Sequence, residues 1–497
     1  MTLRMPEPRR EILAQRADIV RALKSMVPGE GVIDTADQMR AYETDGLTAY
    51  RQMPMVVVLP ETVEQVAAVL SYCSERQIKV VPRGSGTSLS GGALPLADGV
   101  LLAMGKFNRI LDIDFDNRTV TAQPGVTNLA ITRAVEGKGF YYAPDPSSQI
   151  ACSIGGNVAE NAGGVHCLKY GLTTNNLLGL EMVLISGEIV RLGGKHLDSE
   201  GYDLMGLMTG SEGLLGVITE VTVRILTKPD GARAMLIGFQ SNEAAGQCVA
   251  DVISAGIIPG GMEMMDRPAI QAVEEFVGAG YPLDAQALLI VELDGPAVEV
   301  DQLIERVHAI AKKNEANSIR VSTNENERLL FWAGRKAAFP AAGRISPDYL
   351  CMDGTIPRRE LPQVLNGLEQ LSLQYGLRVA NVFHAGDGNL HPLILYDANK
   401  AEELDRAERF GADILRLCVK HGGVLTGEHG VGVEKRDLMP EMFSPIDLVQ
   451  QQRVKCAFDV GGLLNPGKVF PTLHRCAELG RMHVHRGEVA FPKIPRF

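Results

Sequence analysis

Three glycine-dense segments in the first half of the chain constrain its fold more than any other feature. The first, PRGSGTSLSGG, spans 82–92 directly after a predicted strand. The second, SIGGNVAENAGG, spans 153–164, and the third, GSEGLLGVI, spans 210–218. Glycines and small hydroxyl residues let backbone N–H groups close around phosphate oxygens. Three such segments in one domain favour a long cofactor that lies extended against the backbone.

The first glycine-dense segment matches neither of the common nucleotide-binding loops. A Rossmann fingerprint would need a third glycine where Leu89 stands, and no Gly-Lys-Ser/Thr follows to make a Walker loop. A loop of this kind, taken alone, is more often a surface turn. The sequence therefore argues against NAD and ATP, and a phosphate site is favoured only by the presence of the other two segments.

Chain length and charge narrow the class of protein. A chain of 497 residues exceeds the size at which one core keeps growing, so at least two domains are expected. A net charge of −11 without a long Lys/Arg cluster argues against nucleic-acid binding. The eight cysteines form no Cys-x-x-Cys pair, which argues against an iron–sulfur or zinc-thiolate site and favours reduced thiols.

The N-terminus and the hydropathy pattern predict a cytoplasmic protein. The first twenty residues are charged throughout and lack the apolar centre of a signal peptide. No apolar run is long enough to span a bilayer. We therefore expect any contact with the inner face of the membrane to be made through partner subunits.

Changes in residue pattern divide the chain into four parts. Residues 1–49 read as a helical segment that packs on the next domain, and β-rich runs alternate with helical patterns over 50–229. The pattern changes after Lys228-Pro229, so we expect a cofactor-binding domain at 50–229 and a substrate and metal domain at 230–471. Residues 472–497 form a polar tail whose histidines match no standard metal spacing, and we expect it either to contact a partner or to be loosely ordered.

The segment from His384 to His391 carries the strongest chemical signal. Asp387-Gly388 is a favoured two-residue hairpin turn, which would place His384 and His391 directly opposite each other with Cβ atoms about 5 Å apart. Two imidazoles at that distance could bind one metal ion. Glu428 could complete a set of two histidines and one carboxylate, which leaves His429 as a base. The alternative for Glu428-His429 is a capping pair in a turn.

Arg335 lies in FWAGRK, the segment that contains the single tryptophan. Its planar guanidinium suits a carboxylate, although a surface position is the default for an isolated arginine. A short anionic substrate near the two histidines would be compatible with both features. Imidazole and carboxylate ligands suit Zn, Mn or Fe as the divalent metal.

The three glycine-dense segments, in this order, resemble the FAD-binding domain of vanillyl-alcohol-oxidase-type flavoproteins. The resemblance implies that the first segment binds the FAD pyrophosphate, the second runs toward the isoalloxazine and the third supports the adenosine side. Some relatives attach the flavin through a histidine in the first loop, which this chain lacks, so we expect non-covalent FAD. His166, another candidate for attachment, is interpreted either as a core histidine or as one that supports a site residue without contacting the cofactor. The predicted cofactor-binding residues are Pro82, Arg83, Gly84, Ser85, Gly86, Thr87, Ser88, Gly91, Gly92, Pro144, Asp145, Ser153, Gly155, Gly156, Asn157, Asn161, Gly163, Gly164, Tyr170, Gly171, Glu212, Gly213, Gly216, Ile218 and Asn465.

The second half resembles the C-terminal half of FAD-linked D-2-hydroxy-acid dehydrogenases. The residues that carry this resemblance, in chain order, are Trp332, Arg335, His384, His391, Glu428, His429 and Asn465-Pro466-Gly467-Lys468. It implies an α+β fold, with a two-part FAD-binding domain followed by an α+β substrate domain that contains an antiparallel sheet. It also implies that Arg335 and His384 contact the substrate, that His384, His391 and Glu428 bind the metal, and that His429 is the catalytic base. Asn465 would lie near the flavin.

Within that family the similarity to the catalytic subunits of bacterial glycolate oxidases runs nearly end to end. It includes GVHCLKYGLT, FWAGRKAAFP, GRISPDY, CMDGTIPRR and PTLHRCAELGRMHVHRG. Relatives that act on 2-hydroxyglutarate carry an asparagine where Leu393 stands here, which favours a short substrate. The implied reaction is oxidation of glycolate to glyoxylate by hydride transfer to flavin. The chain itself lacks an iron–sulfur pattern. The resemblance implies that electrons pass to two partners, a second FAD-binding subunit and an iron–sulfur subunit.

Three alternatives remain open at this point. A D-lactate dehydrogenase would differ in substrate by one methyl group, which is worth only about 1–3 kcal/mol of discrimination. A metal-dependent hydrolase could use the two histidines and Glu428, but it leaves the glycine-dense segments unexplained. A catalytically silent flavin-binding subunit would need neither Arg335 nor the histidines.

Overall fold

The computed structural model describes residues 5–196 and 201–471, together with two short paired strands, Val484–His485 and Glu488–Val489. Most of the predicted tail at 472–497 therefore lies outside the described residues. Within the described part of the chain, no helix is long and apolar enough to cross a membrane.

A four-stranded sheet begins the fold. Its strands, in spatial order, are Val32–Ile33, Val56–Val58, Gly99–Ala103 and Lys79–Arg83. The last three run parallel, and their side chains are almost all buried, as is usual for parallel strands covered on both faces. The capping-box sequence Thr62-Val-Glu-Gln65 predicts a helix that starts after Thr62. The helix Val63–Glu75 begins there, and the Thr62 hydroxyl accepts a hydrogen bond from the Gln65 amide.

A second, antiparallel sheet completes the N-terminal half. Its strands, in spatial order, are Ile110–Asp114, Thr119–Ala122, Val217–Arg224, Leu177–Val183 and Ile189–Gly193. Phe140–Tyr141 and Leu226–Thr227 form a separate two-stranded antiparallel sheet. The second and third glycine-dense segments lie between strands of this half, and most of the second forms the helix Ile154–Glu160.

A seven-stranded antiparallel sheet forms the C-terminal half and confirms the predicted substrate-domain architecture. Its order is Ser318–Val321, Gly231–Phe239, Ala287–Gly295, Gly261–Asp266, Val379–Phe383, Pro392–Tyr396 and Asp348–Cys351. Alternating side chains enter two cores, because successive strand residues point to opposite faces. Met235 and Ile237 pack with the helices Asn242–Ser254, Ala297–Lys313, Leu361–Tyr375 and Ala401–Lys420. Ala234 and Leu236 pack with Arg267–Val277, Glu325–Lys336 and Ala338–Ala342.

The remaining helices are short connectors or lie near the chain ends. Ile19, Val20 and Leu23 pack into the same hydrophobic cluster as Val56 and Val66 of the first sheet region. The remaining α-helices are Arg10–Ala14, Arg16–Met26, Ala36–Met39, Asn128–Val135, Ile154–Glu160, Cys167–Tyr170, Thr173–Asn176, Leu204–Met208, Met439–Met442 and Pro445–Phe458, and the 3-10 turns are Arg40–Tyr42, Glu136–Lys138, Arg358–Glu360 and Arg436–Leu438.

Residues 463–465 return from the C-terminal half to the first sheet. The Val80 amide donates to the carbonyl of Leu463 at 2.8 Å, and the Asn465 amide donates to the carbonyl of Val80 at 2.7 Å. Leu464 pairs with Val80 in a parallel bridge, and both leucines are buried in the cluster that contains Val80. Residues 463–465 therefore cover the edge strand Lys79–Arg83.

Candidate active site

A cavity of about 400 Å³ lies where the two halves of the chain meet. All three glycine-dense segments contribute to its wall, as do Lys336, Phe339, His391, Glu428 and His429 from the C-terminal half. The predicted cofactor-binding residues that line it are Pro82, Arg83, Gly84, Ser85, Gly86, Thr87, Ser88, Gly92, Ser153, Gly155, Gly156, Asn157, Glu212, Gly213, Gly216 and Ile218. Those that lie outside its wall are Gly91, Pro144, Asp145, Asn161, Gly163, Gly164, Tyr170, Gly171 and Asn465.

The glycine positions in this wall fit an extended cofactor. A Cβ atom at Gly84 would overlap with the hydroxyl oxygen of Ser153, and one at Gly155 would overlap with Pro124. The first segment therefore packs closely against Ser153 of the second, and a side chain at position 84 would force Ser153 to move. Such a cradle suits the pyrophosphate and ribityl parts of FAD, which bind to backbone groups.

Asn465 and Glu212 join separate parts of the cavity wall. The Asn465 side-chain amide donates to the carbonyls of Gly92 at 2.9 Å and Glu212 at 2.7 Å, so it links the first and third segments from behind. The Glu212 carboxylate accepts from the amides of Val431 and Gly432, each at 2.7 Å. The third segment is thereby fixed to the turn that carries Glu428 and His429.

The three predicted metal ligands come together beside the cavity. His391 and Glu428 line it, and His384 lies outside its wall. Nε2 of His384 lies 3.1 Å from Oε1 of Glu428, and Nε2 of His391 lies 3.3 Å from the same oxygen. The rings of His384 and His391 have centroids 5.0 Å apart, and the donor atoms of all three residues lie within 4.8 Å of one another. Neither ring nitrogen of His391 has a hydrogen bond of good geometry within the described chain. The His384–His391–Glu428 cluster therefore fits a divalent metal.

The register of the histidine hairpin differs from the prediction. His384 pairs with Asn389, not with His391, because its amide donates to the Asn389 carbonyl at 3.1 Å. The turn therefore contains four residues, 385–388, and ends at Gly388 with φ +83°. The prediction of directly opposed histidines was wrong. His391 lies two residues beyond Asn389 on the same strand face, so the imidazoles still meet diagonally.

A second group of metal-binding side chains, Asp353, His391 and His429, shares one histidine with the first. Asp353 already accepts hydrogen bonds from the hydroxyl of Thr426 at 2.6 Å, the amide of His429 at 2.9 Å and the buried ammonium of Lys435 at 3.0 Å. These three donors all bind Oδ2 of Asp353, whereas Oδ1 accepts from the Glu428 amide at 3.3 Å and lies 3.5 Å from Nε2 of His391. We therefore assign Asp353 to positioning the 426–429 turn.

His429 is placed as a general base would be. It lines the cavity, and its ring stacks on that of His391 with centroids 4.9 Å apart and an angle of 7° between the planes. Burial lowers the pKa of His429 to about 4, although Asp353 opposes the shift. The imidazole is therefore neutral at neutral pH and able to accept a proton.

Arg335 is buried beside the cavity and does not form part of its wall. Its side chain is 1% exposed, and its Nε donates to Glu263 at 2.7 Å. Lys336, the next residue, does line the cavity. Sequence reasoning missed Lys336 and Glu263, and a signal for Glu263 existed, since it is a charged residue in the apolar strand GMEMMD. It also missed Ser148, Glu160 and Phe339 of the wall, and for Phe339 no local signal existed.

His166 lies outside the wall of the cavity and serves another purpose. Its Nδ1 is 2.8 Å from Asp145, and its Nε2 is 3.2 Å from Glu292 of the seven-stranded sheet. The imidazole therefore links the two halves of the chain through carboxylates. The His166 side chain is 25% exposed, so it is a partly buried link and not a core residue.

Family models cover most of the chain, and they define its class. Residues 54–193 match the FAD binding domain, and residues 228–469 match the C-terminal domain of FAD linked oxidases. The chain belongs to the FAD-linked oxidase family and is an FAD-dependent oxidoreductase.

Individual relatives narrow the position within this family. The chain is 58% identical to the glycolate oxidase subunit GlcD of Escherichia coli strain K12 over 97% of both chains. It is 38% identical to GlcD of Bacillus subtilis strain 168, over 91% of this chain and 97% of the relative. A D-lactate dehydrogenase of Anaerostipes hadrus is 32% identical, over 88% of this chain and 92% of that one.

Two solved structures confirm the vanillyl-alcohol-oxidase-type fold. They are p-cresol methylhydroxylase with substrate bound, with a TM-score of 0.78, and 4-ethylphenol oxidase from Gulosibacter chungangensis, with a TM-score of 0.77. Each is 18% identical to this chain, and each comparison covers 92% of this chain and 97% of the other. At this identity the likeness concerns the fold alone.

Proposed function

We propose that this chain oxidises glycolate to glyoxylate. The observation that carries the proposal is the meeting of the His384–His391–Glu428 cluster and His429 with a cavity walled by glycine-dense segments. The identity to the Escherichia coli glycolate oxidase subunit supports this substrate, whereas the D-lactate dehydrogenase relatives are more distant.

The residues of the chain have separate roles in this reaction. When bound, FAD supplies the hydride acceptor and a divalent ion supplies Lewis-acid stabilisation of negative charge on the substrate oxygen. His384, His391 and Glu428 would hold Zn²⁺, Mn²⁺ or Fe²⁺. His429 accepts the proton of the substrate hydroxyl, and Arg335 holds the substrate carboxylate, with Lys336 as a second cation in the wall.

The apolar side chains near the cluster favour a short substrate. Phe339 lines the cavity, and its ring centroid lies 6.4 Å from that of His391. Leu393 is fully buried two residues beyond His391 and offers no polar group to a second carboxylate. Unpaired burial of that carboxylate would be unfavourable, so dicarboxylic 2-hydroxy acids should be poor substrates.

The test is a visible absorption spectrum of the purified chain, recorded before and after anaerobic addition of glycolate, D-lactate or L-lactate. We expect flavin bands that bleach fastest with glycolate. Faster bleaching with D-lactate would assign the chain to D-lactate instead. Absence of flavin bands after addition of FAD would contradict the proposal and return a metal-dependent hydrolase to consideration.

We further propose that the electrons pass to partner subunits, one with a second FAD and one with iron–sulfur clusters. Two observations support this: the chain has no Cys-x-x-Cys pair, and the Escherichia coli relative is a subunit of glycolate oxidase. The complex would lie in the cytoplasm, at the inner face of the membrane through its partners. A tagged chain purified from its native host should carry acid-labile sulfide. A preparation without sulfide that still reduces the host's quinones would contradict the proposal.

A further inference from the structure

Glu263 connects two of the predicted site residues through one carboxylate. It lies in the strand Gly261–Asp266, in the interior of the seven-stranded sheet, and its side chain is 0% exposed. Oε1 lies 2.7 Å from Nδ1 of His384, and Oε2 accepts a hydrogen bond from Nε of Arg335 at 2.7 Å. The two carboxylate oxygens of Glu263, which are shielded from solvent, thus contact His384 and Arg335 separately.

The contact with His384 fixes the tautomer and the direction of the imidazole. Because Nδ1 faces a carboxylate, it carries the proton and donates it in the hydrogen bond. Nε2 lies 3.1 Å from Glu428, and with a metal ion bound it would present its lone pair to that ion. Carboxylates that accept from the far nitrogen of a metal-binding histidine orient the ring and increase its basicity.

The contact with Arg335 fixes the plane of the guanidinium. The bond to Glu263 uses Nε, while Nη2 is buried and has no hydrogen-bond partner among the residues that the structure describes. Buried polar groups are nearly always paired, so an unpaired guanidinium nitrogen next to a substrate cavity indicates a position for an anionic ligand group.

We propose that Glu263 is a positioning residue that aligns the metal ligand His384 and the carboxylate-binding Arg335 relative to each other. The inference rests on the proposed function, because the roles of His384 and Arg335 come from it. Glu263 itself is assigned no contact with the substrate. A substrate with a carboxylate next to its hydroxyl carbon must reach Arg335 and the cluster at once. One rigid carboxylate between the two fixes their separation before the substrate binds.

Glu292 provides a matched control within the same sheet. It lies in the neighbouring strand Ala287–Gly295 and is also buried. Its oxygens contact one histidine and one arginine, His166 at 3.2 Å and Arg328 at 2.6 Å, and Glu292 also accepts from the indole N–H of Trp332. None of these three partners belongs to the His384–His391–Glu428 cluster or to the cavity wall. The effect of losing a buried carboxylate can therefore be separated from the effect of losing alignment.

The experiment compares the FAD-loaded full-length wild type with E263Q and E292Q. Each protein is stripped with a chelator and titrated with Zn²⁺ and with Mn²⁺, and flavin absorbance and thermal melting are recorded. We expect E263Q to keep its flavin bands and to bind both ions roughly 10–100-fold more weakly, with a raised KM for glycolate. E292Q should keep the metal affinity of the wild type.

Two results would overturn the proposal: wild-type metal affinity in folded E263Q, or an equal loss in E292Q. If E263Q fails to fold, E263D replaces it, because it keeps the charge but is one methylene shorter. Weaker metal binding by E263D would then support the alignment role, and wild-type affinity would overturn it. If the wild type itself binds neither ion, the proposed metal site fails and this inference fails with it, whereas a loss confined to Glu263 variants leaves the proposed function intact.

Discussion

His429 shows how the surroundings of one residue determine its chemistry. Its backbone amide is bound to Asp353 and its ring stacks on His391, so the side chain has little freedom to move out of the cavity wall. Burial keeps the imidazole neutral, and a neutral imidazole can accept the hydroxyl proton.

Replacement of His429 by alanine should therefore separate cofactor binding from turnover. We expect His429→Ala to retain its flavin bands and to be reduced by glycolate roughly 10²–10⁴-fold more slowly, as is typical for loss of a general base. Anaerobic stopped-flow absorbance measures the rate. His421→Ala is the control, because His421 pairs with Glu360 outside the cavity wall. Reduction of His429→Ala at nearly the wild-type rate would refute the assignment.

Glu434 is a buried carboxyl group without a hydrogen-bond partner among the described residues. Its side chain is 8% exposed, and neither carboxylate oxygen has a hydrogen-bond partner in the described part of the chain. The ammonium of Lys435 is 3.9 Å away. Burial, against the opposing effect of Lys435, raises the pKa of Glu434 from 4.5 to about 8. The folded protein therefore binds this proton more tightly than the unfolded chain does, and the resulting stability is lost as the pH rises through 8.

The variant Glu434→Gln should be insensitive to this loss. Relative to the wild type, its melting temperature should rise progressively between pH 4.5 and about pH 8 and stay level above that range. Differential scanning calorimetry across these pH values measures the difference. The same substitution at the exposed residue Glu188 serves as the control. A difference that does not change with pH would show that Glu434 is ionised in the folded protein throughout.

At the scale of single elements, local signals were predictive where local interactions decide the structure. The helix after Thr62 was identified because its cap is formed by residues within one turn. The hairpin turn at 385–388 was mispredicted because distant strands bind it. The Gly386 amide donates to the carbonyl of Met262, and the Ile356 amide donates to that of Gly388, both at 3.0 Å. These long-range bonds select a longer turn than the Asp-Gly pair favours locally.

The candidate site was predictable to the same extent. The residue types and spacing of the two histidines, Glu428 and the glycine-dense segments were enough to predict that these residues form the site. The environment of Arg335 was not predictable, because its partner Glu263 lies 72 residues away. Only the pairing of strands across the seven-stranded sheet brings the two together.

The contact between the first and second glycine-dense segments gives a prediction about cofactor binding. Gly84→Ala would place a methyl group against the hydroxyl of Ser153, so we expect the loop to move and FAD to bind about tenfold or more weakly, in line with an overpacking cost of about 1–3 kcal/mol. Gly105→Ala is the control, since a Cβ there meets no atom within 4 Å. Fluorescence titration of the apoprotein with FAD measures both affinities. Equal FAD affinity in the two variants would contradict the close approach.

On the scale of the whole molecule, the two halves are joined by hydrogen bonds to Glu212, a residue of the cavity wall. Glu212 of the third glycine-dense segment accepts from two amides of the turn that follows His429. Glu212→Ala would leave both buried amides unpaired, at a cost of about 1–3 kcal/mol each. We expect a lower midpoint in urea and a broader transition, measured by flavin fluorescence and circular dichroism together. Glu188→Ala, on an exposed turn, should unfold like the wild type, and an unchanged midpoint in Glu212→Ala would exclude this joint.

The return of residues 463–465 to the first sheet has a consequence for biosynthesis. The strand Lys79–Arg83 leaves the ribosome early, but the segment that covers its edge is translated near the end. Throughout elongation the nascent chain therefore presents an open parallel edge, the kind of surface that associates with other chains and that chaperones protect. Asn465, which ties the first and third glycine-dense segments together, arrives at the same late moment. A chain that stops before residue 465 would therefore lack the hydrogen bonds that tie the first and third glycine-dense segments together.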